Sequence, residues 1–201
     1  MPTVSRSHAR KAELRRDLLA VRGGLTVDDV SETGTVLARR ALELPELAQA
    51  RTVAAYVSVG REPGTRALLD ALHARGTRVL LPVLLEDDDL DWGVHEGASR
   101  LAAARRGLLE PEGERLGPEA ITTAEVVLLP GLAVDEQGMR LGRGGGSYDR
   151  VLARLERSGA DPALVVLLYD GELLGAGEVP AEAHDRPVHA AVTPSGVRRF
   201  A

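Results

Sequence analysis

Apolar positions along this chain follow two rhythms, one of three to four residues and one of two. Residues 6–22 place Leu14, Leu18 and Val21 on one helix face against a charged background, and Gly23–Gly24 closes the run. "TVDDVSETGTVLARRALEL" (26–44) keeps the helical period, with Thr26 as its N-cap. "TVAAYVS" (52–58) is short and rich in β-formers, so it predicts a strand. "TRALLDALHARG" (65–76) returns to the helix period, capped by Thr65 and stopped by Gly76. Strands are predicted at "RVLLPVL" (78–84), where Pro82 limits hydrogen bonding, and at the alternating "DLDWGVH" (89–95). "EVVLLPGLAV" (125–134) is continuously apolar after Glu125, as a strand buried on both faces would be. A helix at "SYDRVLARLERSG" (147–159) and strands at "ALVVLLY" (163–169) and "VHAAVTP" (188–194) complete the pattern.

Strands alternating with helices imply an α/β fold with a mostly parallel sheet. The 201 residues, with no internal repeat or linker, fit a single domain over 1–201. Hydrophobic residues are 44% and aromatics only 2%, so the core must be built of Leu, Val and Ala. The net charge of -5 lacks the footprint of a nucleic-acid binder, so an anionic ligand would need a local basic patch. The absence of cysteine removes disulfides, thiol nucleophiles and zinc-thiolate sites. No apolar run reaches the roughly 18 residues of a membrane helix, and the N-terminus is polar, which makes a cytoplasmic protein without a membrane partner the expectation. His184 and His189 fit no zinc spacing, and His8, His73 and His95 read as surface or partly buried polar residues. The acidic run "EDDDLD" (86–91) reads as a solvated turn.

The stretch "RLGRGGGSYDR" (140–150) changes the picture. A strand, a glycine-rich loop and a helix form a layout that binds phosphate, because amides approach an anion closely and the helix N-terminus adds a positive dipole. Arg140 and Arg143 add fixed charge. The stretch nevertheless fits neither the Walker A loop, for want of a Lys, nor the dinucleotide fingerprint, which needs glycine where Ser147 stands. On its glycines alone it suits a plain turn as well as an anion cradle. Asp149 would repel phosphate unless Mg²⁺ lay between them; it also suits the first turn of a helix.

"LLPGLAVDEQGMRLGRGGGSYDR" closely resembles the signature of the 5-formyltetrahydrofolate cyclo-ligase family (5,10-methenyltetrahydrofolate synthetases). "KAELRR", "AYVSVGREPGT", "GLLEP" and "VPAEAHDRPVHAAVTP" resemble further landmarks in the same order, so the resemblance spans essentially the whole chain. It implies a three-layer α/β/α sandwich of the kind shared with some sugar-phosphate isomerases. It also implies ATP- and Mg²⁺-dependent conversion of 5-formyltetrahydrofolate to 5,10-methenyltetrahydrofolate, with release of ADP and phosphate, by a monomer or weak homodimer.

By the same resemblance, Lys11 and Arg15, one helical turn apart, match nucleotide contacts. Without it they would read as an exposed basic helix face, although Lys11 is the chain's only lysine. Arg140, Leu141, Gly142, Arg143, Gly144, Gly145, Gly146, Ser147 and Tyr148 match the ATP loop, and Arg143 to Ser147 also face the folate. Val57 and Glu62 match folate contacts, and Asp149 and Asp185 match metal ligands; on the sequence alone Glu62 is a loop carboxylate and Asp185 a turn residue. Two positions depart from the family pattern: Ser147 replaces a Tyr that could stack on the ligand, and Val134 replaces a Phe. Ser147 motivates an alternative, a non-catalytic nucleotide- or folate-binding module on the same scaffold. A sugar-phosphate isomerase, suggested by fold analogy, would need no ATP.

Overall fold

The computed structural model describes residues 3–182 and 185–200. Helix α1 (Thr3–Gly23) starts earlier than the apolar spacing indicates, and α2 (Val27–Ala41) begins with a capping box in which Thr26 and Asp29 satisfy each other's amides. The period expected to run to residue 44 ends at Ala41, and a short α3 (Pro45–Gln49), opened by proline, follows. Strand β1 (Thr52–Ala54) is shorter than its β-rich run; Ala55 still donates to the Leu80 carbonyl before the chain leaves the sheet. Thr65 precedes α4 (Arg66–Ala74) without capping it through its side chain. Its Oγ1 instead accepts from the Ser58 amide at 2.9 Å, while Ser58 Oγ accepts from the Thr65 amide at 3.1 Å. This reciprocal clasp closes the loop between β1 and α4.

The chain continues through β2 (Arg78–Leu84), β3 (Leu90–Val94), a hairpin of β4 (Leu101–Ala103) and β5 (Leu109–Pro111), and β6 (Val126–Leu129). The expected single strand over 125–134 is two strands in different sheets. Pro130 lacks a ladder donor, and a side chain on Gly131 would come within 2.9 Å of Val166, so the chain turns there into β7 (Ala133–Asp135). Then come β8 (Arg140–Leu141), α5 (Ser147–Ser158), β9 (Ala163–Leu167), β10 (Leu173–Leu174), β11 (Ala190–Thr193) and β12 (Gly196–Arg199).

The main sheet has seven strands in the order β12-β11-β9-β6-β1-β2-β3, parallel except for the two edge strands. Alternation splits its side chains between two cores: Val126 and Leu128 join Leu37, Leu47 and Leu68 under α2, α3 and α4. Val127 and Leu129 join Val151, Leu155 and Trp92 under α5. Each fully buried Leu contributes about 1.5–3 kcal/mol of transfer free energy. A third cluster packs Leu18 of α1 on Leu132, Ala133 and Leu141 of the small β10-β7-β8 sheet. Helix α2 meets the β1–α4 loop backbone to backbone: a Cβ on Gly34 would lie 3.0 Å from the Gly64 carbonyl oxygen. Among the described residues, no helix is long and apolar enough to cross a membrane.

Candidate functional site

Strand β1 lies between later strands that continue to opposite sides, β2 on one and β6 on the other, and an open α/β sheet leaves a crevice beyond such a point. A cavity of about 730 Å³ lies there, lined by Tyr56 and Val57 after β1, Pro82 and Leu84 of β2, and Pro130 and Gly131 after β6. Every residue nominated from the sequence lines this one cavity: Lys11, Arg15, Val57, Glu62, the whole segment Arg140 to Asp149, and Asp185.

The glycine loop is shaped by arginines. Arg140 Nη1 donates to the Pro130 carbonyl at 2.9 Å and Nη2 faces Asp149 Oδ1 at 3.3 Å. Burial holds the Arg140 guanidinium pKa below its usual value, with Asp149 opposing that shift. Arg15 Nε donates to the Gly142 carbonyl at 2.8 Å, fixing the loop to α1. Gly144 has φ of 88°, a left-handed conformation that favours glycine, and the Arg15 guanidinium packs 3.2 Å from where a Cβ would stand. Gly146, at φ 79°, turns the chain into α5 as an N-cap without a side chain. The first amides of α5, those of Ser147, Tyr148 and Asp149, therefore open the helix beside the cavity with its positive dipole end.

The other charges on this wall stand in pairs. Arg143 Nε lies 3.2 Å from Glu62 Oε1, while Glu62 Oε2 accepts from the Val59 amide at 2.8 Å. Lys11 is buried, contrary to an exposed basic face, and reaches Glu182 at 3.0 Å and Asp185 at 2.9 Å. Burial pulls its pKa down, but the bonds to Asp185 and Glu182 prevail and raise it. Burial, reinforced by Glu62, pushes the Tyr56 and Tyr148 phenols above their usual range, so both stay protonated.

Behind this wall, Arg22 and Glu172 form a buried bidentate pair at 2.6 and 2.9 Å, and Arg22 Nη2 donates to the Gly131 carbonyl at 2.7 Å. The pair thereby anchors the backbone beside Pro130, whose carbonyl holds Arg140.

Several lining residues were not nominated from the sequence, although Leu108 and Leu109 lie within the landmark "GLLEP". Pro82, Leu84, Leu90, Leu108 and Leu109 make an apolar wall from β2, β3 and the β4–β5 hairpin, with Arg106 at the hairpin tip. As isolated letters they are indistinguishable from core residues; only the hairpin folding against β2 turns them toward one cavity. Tyr56 could have been suspected as an aromatic at the end of a parallel strand.

Among the described residues no group of three or more His, Cys, Asp or Glu is arranged to hold a metal ion. Asp149 and Asp185 do both line the cavity. Mg²⁺ needs no protein cage; it is commonly held by one or two carboxylates and substrate phosphates, so this donor set fits it. The histidines divide: His8 lines the cavity, His184 lies outside the described residues, and His95 is buried rather than superficial. Neither ring nitrogen of His95 has a partner, and its ring meets that of His73 edge-on at 5.5 Å. The acidic turn is likewise not wholly solvated, since Asp89 Oδ2 accepts from Arg154 at 2.7 Å.

Comparison with known proteins bears on what this cavity does. The chain is 46% identical over 149 residues to the 5-formyltetrahydrofolate cyclo-ligase of Mycolicibacterium smegmatis, covering 72% of this chain and 74% of that protein. It is 34% identical over 178 residues to that of Escherichia coli K12, covering 88% and 96%. The solved structure of the Aquifex aeolicus 5,10-methenyltetrahydrofolate synthetase superposes with a TM-score of 0.78 at 29% identity, over 94% of this chain and 92% of that one. The model of the 5-formyltetrahydrofolate cyclo-ligase family matches residues 7–194. With the matched region containing all the nominated cavity residues, the chain belongs to the 5-formyltetrahydrofolate cyclo-ligase family.

Proposed function

We propose that this chain couples ATP consumption to the cyclisation of 5-formyltetrahydrofolate, giving 5,10-methenyltetrahydrofolate, ADP and phosphate. The observation that carries this reading is the one cavity with two kinds of wall: a glycine loop with Lys11, Arg15, Arg140 and Arg143 on one side, hydrocarbon on the other. The first suits a polyphosphate and the second a folate's flat ring system.

The chemistry asks mainly for alignment. A formamide is a poor electrophile, so its oxygen attacks the γ-phosphorus of ATP and ADP leaves. The N10 nitrogen of the folate then attacks the activated formyl carbon and gives up its proton, the ring closes, and phosphate carries away the former formyl oxygen. No group of the protein need form a covalent bond; positioning and charge neutralisation suffice. Arg140, fixed by the Pro130 carbonyl, offers a preorganised cation to the phosphates, and the α5 amides offer donors. Glu62, oriented by the Val59 amide, can accept from the N–H edge of a pterin once Arg143 turns to phosphate. Tyr56 and Tyr148 leave the cavity two aromatic side chains although Ser147 supplies none. Mg²⁺ bound at Asp149 and Asp185 would screen the repulsion between the phosphates and these carboxylates.

On this reading the chain is one cytoplasmic domain, a monomer or weak homodimer, with a sheet related to that of sugar-phosphate isomerases. Incubation with ATP, Mg²⁺ and 5-formyltetrahydrofolate should generate the methenyl chromophore with stoichiometric ADP. No absorbance rise from folded protein and verified substrate overturns the reading.

A further inference from the structure

Among the described residues only two non-glycine side chains sit on left-handed backbone: Asp88 at φ 63° and Arg106 at φ 57°. They are joined to each other by an ion pair. Asp88 is in the turn joining β2 to β3, Arg106 is at the tip of the β4–β5 hairpin, and Arg106 Nη2 lies 2.8 Å from Asp88 Oδ1. Neither residue has the glycine that such a conformation favours, and strain of this kind gathers at ligand clamps. The hairpin tip is tied down independently, because Arg105 Nη2 donates to the Leu84 and Leu85 carbonyls at 3.2 and 3.0 Å. Arg106 itself lines the cavity, beyond the apolar wall formed by Leu84, Leu108 and their neighbours. Its side chain is 64% exposed, so its pairing with Asp88 is the weak kind that a second anion can displace. A guanidinium offers five donors in a planar fork, and one carboxylate contact leaves room for another.

We infer that Arg106 receives the glutamate carboxylate at the tail of the folate substrate, with Asp88 acting as the resident stand-in until the substrate arrives. This rests on the reading of the cavity as a folate site. A folate is rigid and aromatic from its pterin to its benzoyl group and anionic only at the far end. The cavity lining offers the same three kinds of surface: the charged loop with Glu62, hydrocarbon from β2, β3 and the β4–β5 hairpin, and the Arg106 guanidinium at the hairpin tip. Arg106 is thus a specificity-determining residue for glutamylated folates and takes no part in the transfer chemistry.

The test compares 5-formyltetrahydrofolate with its glutamate-free analogue, 5-formyltetrahydropteroate, in the full chain. Arg106→Gly should raise KM for the glutamylated substrate about tenfold and leave kcat near wild type. It should also hold or raise the melting temperature, since glycine relaxes the left-handed backbone. Arg106→Lys, which keeps the charge without the fork, should fall between, and Asp88→Asn should lower KM about twofold. On the pteroate analogue wild type and variants should converge. Equal KM changes on both substrates, no change on either, a lowered melting temperature that accounts for the loss, or a shift in the KM for ATP instead overturns the assignment. If wild type turns over neither substrate, the folate reading fails and this subsite fails with it; if wild type is active and Arg106 is indifferent, the subsite alone fails.

Discussion

On the β1–β6 side of the cavity, Lys11, Arg140 and Arg143 each stand against a carboxylate; on the β2–β3 side, Pro82, Leu84, Leu90, Leu108 and Leu109 present hydrocarbon. The charged wall is built by geometry that must be held in place: a guanidinium pinned to a carbonyl, glycines at positive φ, a helix N-terminus. The apolar wall is built by volume, and its side chains need only fill a surface. Damage to the first should therefore spread through unpaired charge, while damage to the second should be local and graded.

The largest effect expected comes from the support of the charged wall. Glu172→Ala leaves Arg22 buried without its partner and loosens the Gly131 carbonyl, and should destabilise the fold by about 3–5 kcal/mol in denaturant titration. A loss under about 1 kcal/mol would mean that the charged wall is as forgiving as the apolar one. Next comes the wall itself. Asp149→Ala should lower kcat/KM about a hundredfold, through weakened Mg²⁺–ATP and an unpaired Arg140, with an unchanged circular dichroism spectrum. Near-normal turnover at limiting Mg²⁺ would remove Asp149 from the metal site.

A smaller effect is expected across the cavity. Leu108→Ala should raise the KM for folate about tenfold while leaving the KM for ATP alone. Equal changes in both would dissolve the distinction between the walls. The smallest effect lies outside both walls. Burial, with His73 beside it and Asp70 opposing, lowers the pKa of His95. The unfolded chain then binds the proton more readily, so the stability this neutral ring contributes is present above about pH 6.5 and declines as pH falls below it. His95→Gln should flatten the melting temperature between pH 7 and pH 5; an unaltered slope would assign the acid sensitivity elsewhere.

The same division governs what could be read from the letters. Arg140 to Asp149 are contiguous, and their glycines, arginines and carboxylate are types whose chemistry is visible in isolation. Lys11, Arg15, Glu62 and Asp185 were legible through the order of family landmarks, not through spacing. Leu84 and Arg106 were illegible as cavity residues because that place comes from a hairpin packing on a strand twenty residues or so earlier, a long-range pairing that leaves no local period; Leu108, inside "GLLEP", was legible only as a family landmark. The parallel sheet and most helices followed from periodicity. The break at Pro130–Gly131 did not, because eight apolar letters and one glycine read as a single strand unless the proline's missing donor is weighed against the run. His95 was misread because an imidazole buried without a partner runs against the usual pairing of buried polar groups.

The contact between Gly34 and Gly64 bears on how this fold can change over generations. Helix α2 and the loop carrying Glu62 approach each other through bare backbone, with the Gly64 oxygen and Cα at 3.0 and 3.1 Å from any Cβ at position 34, and a Cβ at position 64 meeting the Val30 oxygen at 3.0 Å. No side chain there can swing aside to make room. Neither glycine can therefore compensate for a change at the other, and drift is closed at both. A helix remote from the chemistry thus fixes, by having nothing to substitute, where a binding-site loop may sit.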